Sequence, residues 1–242
     1  MKYSEFRQAL PIEKAKNDPF WAKLVLRPLS LPVAWGLYRM GVSANMVSIS
    51  GAILAIAAAI LLGSDGLVLA VLGAVLFNTI ALGDCVDGNI ARAAKNAGPG
   101  GEFMDALGGY TVYAFIPLAI GFRAEALYAF ESFSDVWILL GALMAVSNMY
   151  MRIVYQKYLN MRLSIMKQEE MSTPSPKTSM VKRVSGELGF VGWMMPLLLI
   201  VVVVGWEPIY LLFYSSVYIL AAGFITVKMV LRMLAKDIWL RG

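Results

Sequence analysis

Apolar residues in this chain come in long unbroken runs rather than alternating with polar ones. Six runs stand out, at roughly 46–63, 67–82, 103–122, 136–154, 188–204 and 209–230. A helix needs about 20 apolar residues to cross the hydrocarbon of a bilayer, so each run predicts a membrane span. The second run continues as a more polar helix toward Lys95. Turn signals separate the runs: "GSDG" at 63–66, "NAGPGG" at 96–101 and "GWEP" at 205–208. The longest polar connection is 157–187, and "STPSPKTS" at 172–179 within it predicts a mobile loop. Ahead of the first run, residues 18–43 interleave Phe20, Trp21, Trp35 and Tyr38 with Lys23, Arg27 and Arg39. That mixture predicts an amphipathic helix lying in the headgroup layer, bent or broken at Pro28 and Pro32 and serving to anchor the first span. The expected architecture is all-α and integral to the membrane, with six transmembrane helices preceded by an N-terminal interfacial helix. The corresponding units are an N-terminal segment at 1–42, a membrane domain at 43–234 and a tail at 235–242.

Composition agrees with the class. Of the 242 residues 59% are apolar and only 15% charged, where a soluble domain carries about a quarter charged. The N-terminus is polar and lacks the apolar core of a cleavable signal peptide. The net charge of +5 is distributed by topology. Twenty of the 21 Lys and Arg residues fall on one side of the predicted spans, with Arg123 alone on the other. Such asymmetry predicts that both termini and the 84–105 segment are cytoplasmic, and it argues against nucleic acid as the partner of the basic excess. The lone cysteine, Cys85, cannot form an internal disulfide and is expected to be a small packing residue. No internal repeat is evident, which weakens a transporter built on inverted repeats.

The chain contains no histidine. Zinc sites built on His and Cys clusters, His-based triads and His proton shuttles are therefore excluded. What it does hold is "GDCVDGNIARAAKNAGPGGEFMDALGGY" at 83–110, three aspartates between apolar runs. Asp84 and Asp87 lie three apart on a helix, and Gly88 and Ala91 extend the same face. Asp105 is returned to that depth by the "NAGPGG" turn. Three converging carboxylates without nitrogen or sulfur partners form a hard oxygen cluster suited to Mg²⁺, Mn²⁺ or Ca²⁺. Unpaired anions near hydrocarbon are costly, so a cation is expected there. Neutralisation of one carboxylate by Arg92 is the competing, purely structural reading.

These residues resemble the CDP-alcohol phosphotransferase (CDP-alcohol phosphatidyltransferase) superfamily. The family pattern is Asp, two residues, Asp-Gly, two residues, Ala-Arg, about eight residues, Gly, three residues, Asp, three residues, Asp. Asp84, Asp87, Gly88, Ala91, Arg92, Gly101 and Asp105 match it, and Gly109 stands where the last aspartate would be. In "SANMVS", Asn45 and Ser48 match a second family signature at the start of the first span, with Ala44 in place of its proline. The likeness covers roughly residues 21–231. It implies a homodimeric enzyme in a membrane, with a prokaryotic inner membrane as the expected setting. Mg²⁺ or Mn²⁺, two ions in an active member, would be held by Asp84, Asp87 and Asp105. It implies a CDP-linked donor bound by Asn45, Ser48, Asp84, Asp87, Gly88, Ala91, Arg92 and Gly101. A lipid or small-molecule acceptor would attack the phosphorus beyond the pyrophosphate bridge, and CMP would leave. Asp105 and position 109 would be catalytic, the family base being lost at Gly109. Glu102, on the same helical face, is a remote substitute.

The acceptor site does not transfer by motif. Arg152, Lys157, Lys182 and Arg183 are the candidate cations for an acceptor phosphate, against a plain topogenic role. Gly108 and Gly109 would also suit a close helix–helix contact. Two other readings stay open: a relative that binds metal and CDP-alcohol without turnover, and an ion transporter using intramembrane carboxylates.

Overall fold

The computed structural model describes residues 1–10, 18–95, 98–129, 135–166 and 186–235. Among these residues the chain is helical with no strands, and five helices are long and apolar enough to cross a membrane. They are α3 (Ala44–Leu62), α4 (Leu67–Ala93), α5 (Pro99–Tyr128), α6 (Val136–Met166) and α8 (Glu207–Ala235). Before them come α1 (Tyr3–Gln8) and α2 (Arg27–Arg39), and α7 (Met195–Val204) precedes α8. The loop at 172–179, the cations Lys182 and Arg183, and residues 236–242 of the expected tail lie outside the described residues.

Small residues set the tightest crossings. A β-carbon on Gly73 of α4 would strike the backbone of Ala58 and Leu62 in α3. Gly121 of α5 and Gly141 of α6 meet backbone to backbone in the same way. Without a hydrophobic force between helices in lipid, such close approach is what dispersion and weak polar contacts require. Gly108 packs against the carbonyl of Ser48, whereas Gly109 has no heavy atom within 4 Å of where its β-carbon would be. Of that pair, only Gly108 serves a helix contact.

Two expectations about helix continuity need correction. The prolines at 28 and 32 do not break the N-terminal helix, which runs on through both to Arg39. A widened turn at Ala22–Leu26 stands just ahead of Pro28, where the missing N–H and the ring would otherwise conflict with regular helical bonding. The fifth run, expected to be one span over 188–204, is instead interrupted. Gly192 departs from helical geometry, the backbone makes a wide turn over Phe190–Met194, and only α7 is regular. A side chain at Gly192 would collide with the carbonyls of Gly186 and Glu187. Fifteen residues from 190 to 204 rise about 22 Å as a helix, short of a hydrocarbon core of about 30 Å. Asn78 of α4 reaches this kink and donates to the carbonyl of Met195 at 3.1 Å.

The N-terminal segment lies against the same end of α4 that carries the aspartates. Phe6 and Ala34 are buried with Val86, Ile90 and Ala93. Glu187 accepts the backbone N–H of Phe20 at 2.9 and 3.1 Å, and the Phe20 ring stacks on Trp193. At the opposite end of α4, Arg123 is buried and its Nε bonds Glu207 at 2.7 Å. Its Nη1 donates to the carbonyls of Ser64 and Asp65, at 2.7 and 3.0 Å. One side chain thus ties the α3–α4 turn to the start of α8.

Candidate functional site

The site follows from the length of α4. At 1.5 Å per residue its 27 residues span about 40 Å, so a helix that begins at one face of the hydrocarbon emerges at the other with turns to spare. Asp84 lies about 25 Å along it and Asp87 about 30 Å, at the far end of that crossing, with Gly88, Ala91 and Arg92 in the turns beyond. They line one side of a cavity of about 500 Å³. The start of α3 supplies Ala44, Asn45 and Ser48, and the start of α5 supplies Gly101, Glu102 and Asp105. Every motif position except Gly109 therefore faces one space. Gly109 borders a chamber of about 30 Å³ next to it, together with Ser48, Asp84, Asp87 and Asp105. A third hollow of about 390 Å³ shares Asn45, Ala91 and Gly101 and extends toward Tyr38 and Ser43.

Ser48 and Asp87 are locked to each other. The Ser48 hydroxyl donates to Asp87 at 2.6 Å, and Asp87 is only 7% exposed. Asp84 and Asp105 face each other across the same space, both bordering the cavity and the small chamber beside it. Among the described residues the three aspartates are not drawn into a ready-made group that would hold an ion unaided. No guanidinium is bonded directly to these carboxylates among the described residues. Arg92 donates to Asn89 at 2.9 Å rather than to an aspartate, and Asn89 in turn donates to Ser30 of α2 at 3.0 Å. Among the described residues no arginine forms an ion pair with Asp84, Asp87 or Asp105. Arg92 therefore acts on Asp87 only through space, without an ion pair, and that leaves Asp84 and Asp105 without a cation bonded to them among the described residues.

Arg27, a residue that sequence reasoning treated as a headgroup cation, also lines the cavity. Its Nε and Nη2 are held by Asp18 at 2.7 and 3.2 Å. Burial alone would lower its proton affinity. The Asp18 hydrogen bond and nearby acidic groups, Asp84 among them, outweigh that and hold it above its ordinary range, so it is charged at any working pH.

The acceptor candidates are not gathered here. Arg152 of α6 lies over the Tyr113 ring at 3.8 Å and donates to Asn148 at 2.7 Å, away from the cavity lining. Lys157 is exposed on α6. Cys85 is buried in the apolar core at 3% exposure, as a packing residue would be.

No family model matches the chain, and no curated protein matches it. The site is therefore read from its own chemistry. It is an oxygen-rich wall of carboxylates facing a cavity whose other lining includes two arginines and the small residues Ala44, Gly88, Ala91, Gly98 and Gly101. A polyanion carrying its own counter-cation matches that pattern of charge, and a neutral or apolar ligand does not.

Proposed function

We propose that the chain is a membrane enzyme of the CDP-alcohol phosphotransferase type. It would transfer a substituted phosphate from a CDP-linked donor to an acceptor at the cytoplasmic face and release CMP. The observation that carries this reading is the convergence of Asn45, Ser48, Asp84, Asp87, Gly88, Ala91, Arg92, Gly101 and Asp105 on one cavity from three helices. The donor set fits a hard divalent ion. Mg²⁺ is commonly held by one or two carboxylates, with phosphate oxygens and water completing the shell, so no preformed protein cage is needed. Held by Asp84, Asp87 and Asp105, Mg²⁺ or Mn²⁺ would supply charge neutralisation and alignment of the pyrophosphate.

The chain's own residues account for the rest. Ser48 fixes the rotamer of Asp87 through its hydroxyl. Asn89 orients Arg92 so that its remaining N–H groups are available to a phosphate oxygen. Gly88 and Ala91 keep the α4 wall low, and a β-carbon on Gly88 would press on the Arg92 guanidinium at 3.1 Å. In the transfer, the acceptor oxygen forms a bond to the distal phosphorus while the bond to the bridging oxygen breaks, and that oxygen departs with CMP. A hydroxyl acceptor must also lose a proton. No side chain at position 109 can take it, and Glu102 is the remaining carboxylate in the cavity lining. An acceptor that attacks through an already ionised oxygen, such as a phosphate, needs no base.

Six membrane segments, with residues 190–204 as a broken fifth, an interfacial α2, cytoplasmic termini and a homodimer in a prokaryotic inner membrane complete the proposal. The aromatic and cationic residues along α2 and the cation asymmetry support the orientation. The second reading, a protein that binds the donor without turnover, is favoured by one observation: the space at Gly109 is open rather than filled by a neighbouring side chain. CMP release from CDP-linked donors, measured across hydroxyl and phosphate acceptors, separates the two.

A further inference from the structure

The cavity has a cationic side as well as an acidic one, and half of it comes from outside the motif. Arg27 reaches the cavity from α2, fifty-seven residues before Asp84 in the sequence. Arg92 reaches it from α4, close enough for the two guanidiniums to repel each other. Two like charges brought together are unfavourable unless something holds them or an anion sits between them. Each is held from behind. Asp18 takes Nε and Nη2 of Arg27, leaving Nη1 without a hydrogen bond among the described residues. Asn89 takes only Nη2 of Arg92, and the Asn89 amide is braced by Ser30, three residues along α2 from Arg27. Both arginines are thus anchored through α2, and among the described residues neither forms an ion pair with the carboxylates of the same cavity. A guanidinium pre-oriented by a carboxylate behind it, with a donor left over, is the arrangement that binds phosphate oxygens well.

We infer that Arg27 and Arg92 form a phosphate subsite in this cavity, so that the N-terminal helix is part of the binding site as well as an anchor. The inference rests on the reading of the cavity as a phosphate-binding site, and it adds a residue and an element that the motif does not contain. Arg27 contacts the phosphate directly, and Asp18 positions it. Because α2 and the turn ahead of it carry Phe20, Leu24, Leu29 and Val33 exposed, the phosphate could arrive on a soluble diphosphate or on a lipid headgroup; the shared chemistry is the phosphate itself.

The test is a binding titration of the full-length protein in detergent and Mg²⁺ buffer. The probes are inorganic pyrophosphate, phosphatidic acid in mixed micelles, and CDP. Arg27→Gln should weaken at least one of the first two by about tenfold or more, the size of one charge-assisted contact. An effect on pyrophosphate identifies a soluble diphosphate, and an effect on phosphatidic acid alone identifies a lipid headgroup. Asp18→Asn, which loosens Arg27 without removing it, should weaken binding, but by several-fold less than Arg27→Gln does. A purely structural Asp18–Arg27 clamp would instead make the two variants equal. Should Arg27→Gln not fold, Arg27→Lys decides: binding weakened several-fold supports the subsite, and unchanged affinity overturns it. Equal binding of both probes by wild type and Arg27→Gln, or no binding of either by wild type, also overturns it. CDP binding no tighter than pyrophosphate would instead remove the nucleotide-donor reading while leaving the subsite standing.

Discussion

Gly109→Asp is the substitution that most sharply separates the accounts of turnover. Gly109 lies on α5 one helical turn beyond Asp105, beside a small chamber bordered by all three aspartates. A β-carbon there meets no heavy atom within 4 Å, so the aspartate fits without displacing a neighbour. The change gains about 0.3 kcal/mol of helix propensity. Repulsion from Asp105 at i, i+4 costs a comparable 0.2–0.5 kcal/mol or so. The fold should therefore be unaffected, with a melting temperature within about 2 °C of wild type. The chemical effect should be larger. A positioned base contributes about 10²–10⁴-fold in the best cases, so at least about tenfold faster CMP release is expected with a hydroxyl acceptor, equivalent to about 1.4 kcal/mol of barrier. The assay is CMP release by purified protein with Mg²⁺, one CDP-linked donor, and matched acceptors bearing a free hydroxyl or a phosphate. A wild-type rate with the phosphate acceptor that Gly109→Asp leaves unchanged or lowers would assign turnover to an ionised nucleophile. Flat rates with every acceptor in both proteins would refute the enzymatic reading and leave a binding protein.

Two further outcomes concern the scaffold. Arg123 and Glu207 are 4% and 0% exposed at their side chains, so Glu207→Ala should strand a buried guanidinium and cost about 3–5 kcal/mol in reversible unfolding. The double variant Arg123→Met/Glu207→Met should recover most of that loss, and failure to recover any would mean that the carbonyl contacts of Arg123, not the pair, hold this end together. For orientation, a cysteine at exposed Asp65, in a background with Cys85 replaced, should be labelled by an impermeant maleimide from outside intact cells. A cysteine at exposed Lys95 should not be, and the reverse pattern would put the aspartates on the wrong face for a cytosolic nucleotide donor.

Much of the site was readable because it is local. Asp84, Asp87, Gly88, Ala91 and Arg92 share a face by helical periodicity alone, and one short turn after α4 brings Asp105 back to them. Arg27 was not readable in this way. Its place in the cavity depends on how α2 packs on α4, a contact between segments fifty-seven residues apart that no periodicity encodes. The partner of Arg92 was not foreseen either: Asn89, one turn back on the same helix, accepts from its Nη2. The interruption of the fifth run escaped notice because hydropathy averages over a window and α7 is among the most apolar stretches. The spacing of Gly186, Gly189 and Gly192 ahead of it was the available signal, since three glycines so close together favour irregular backbone. Arg123 looked like a lone charge on the outer side, and Glu207 looked like part of a turn. Only the packing of α5 against the α3–α4 turn and the start of α8 makes them a pair.

The central claim is that the three aspartates bind a CDP-linked donor through a divalent ion, and donor binding tests it most directly. Affinity for a CDP-alcohol should be measured on wild type, Asp84→Asn and Asp105→Asn in detergent, with Mg²⁺ and with chelator. Asparagine keeps the shape of aspartate but removes the charge that holds a hard cation against phosphate. The account predicts Mg²⁺-dependent binding by wild type, lost in both variants and in chelator, while all three proteins keep the same helical content. Binding of equal strength in the variants, or binding by wild type that is indifferent to chelator, would contradict it.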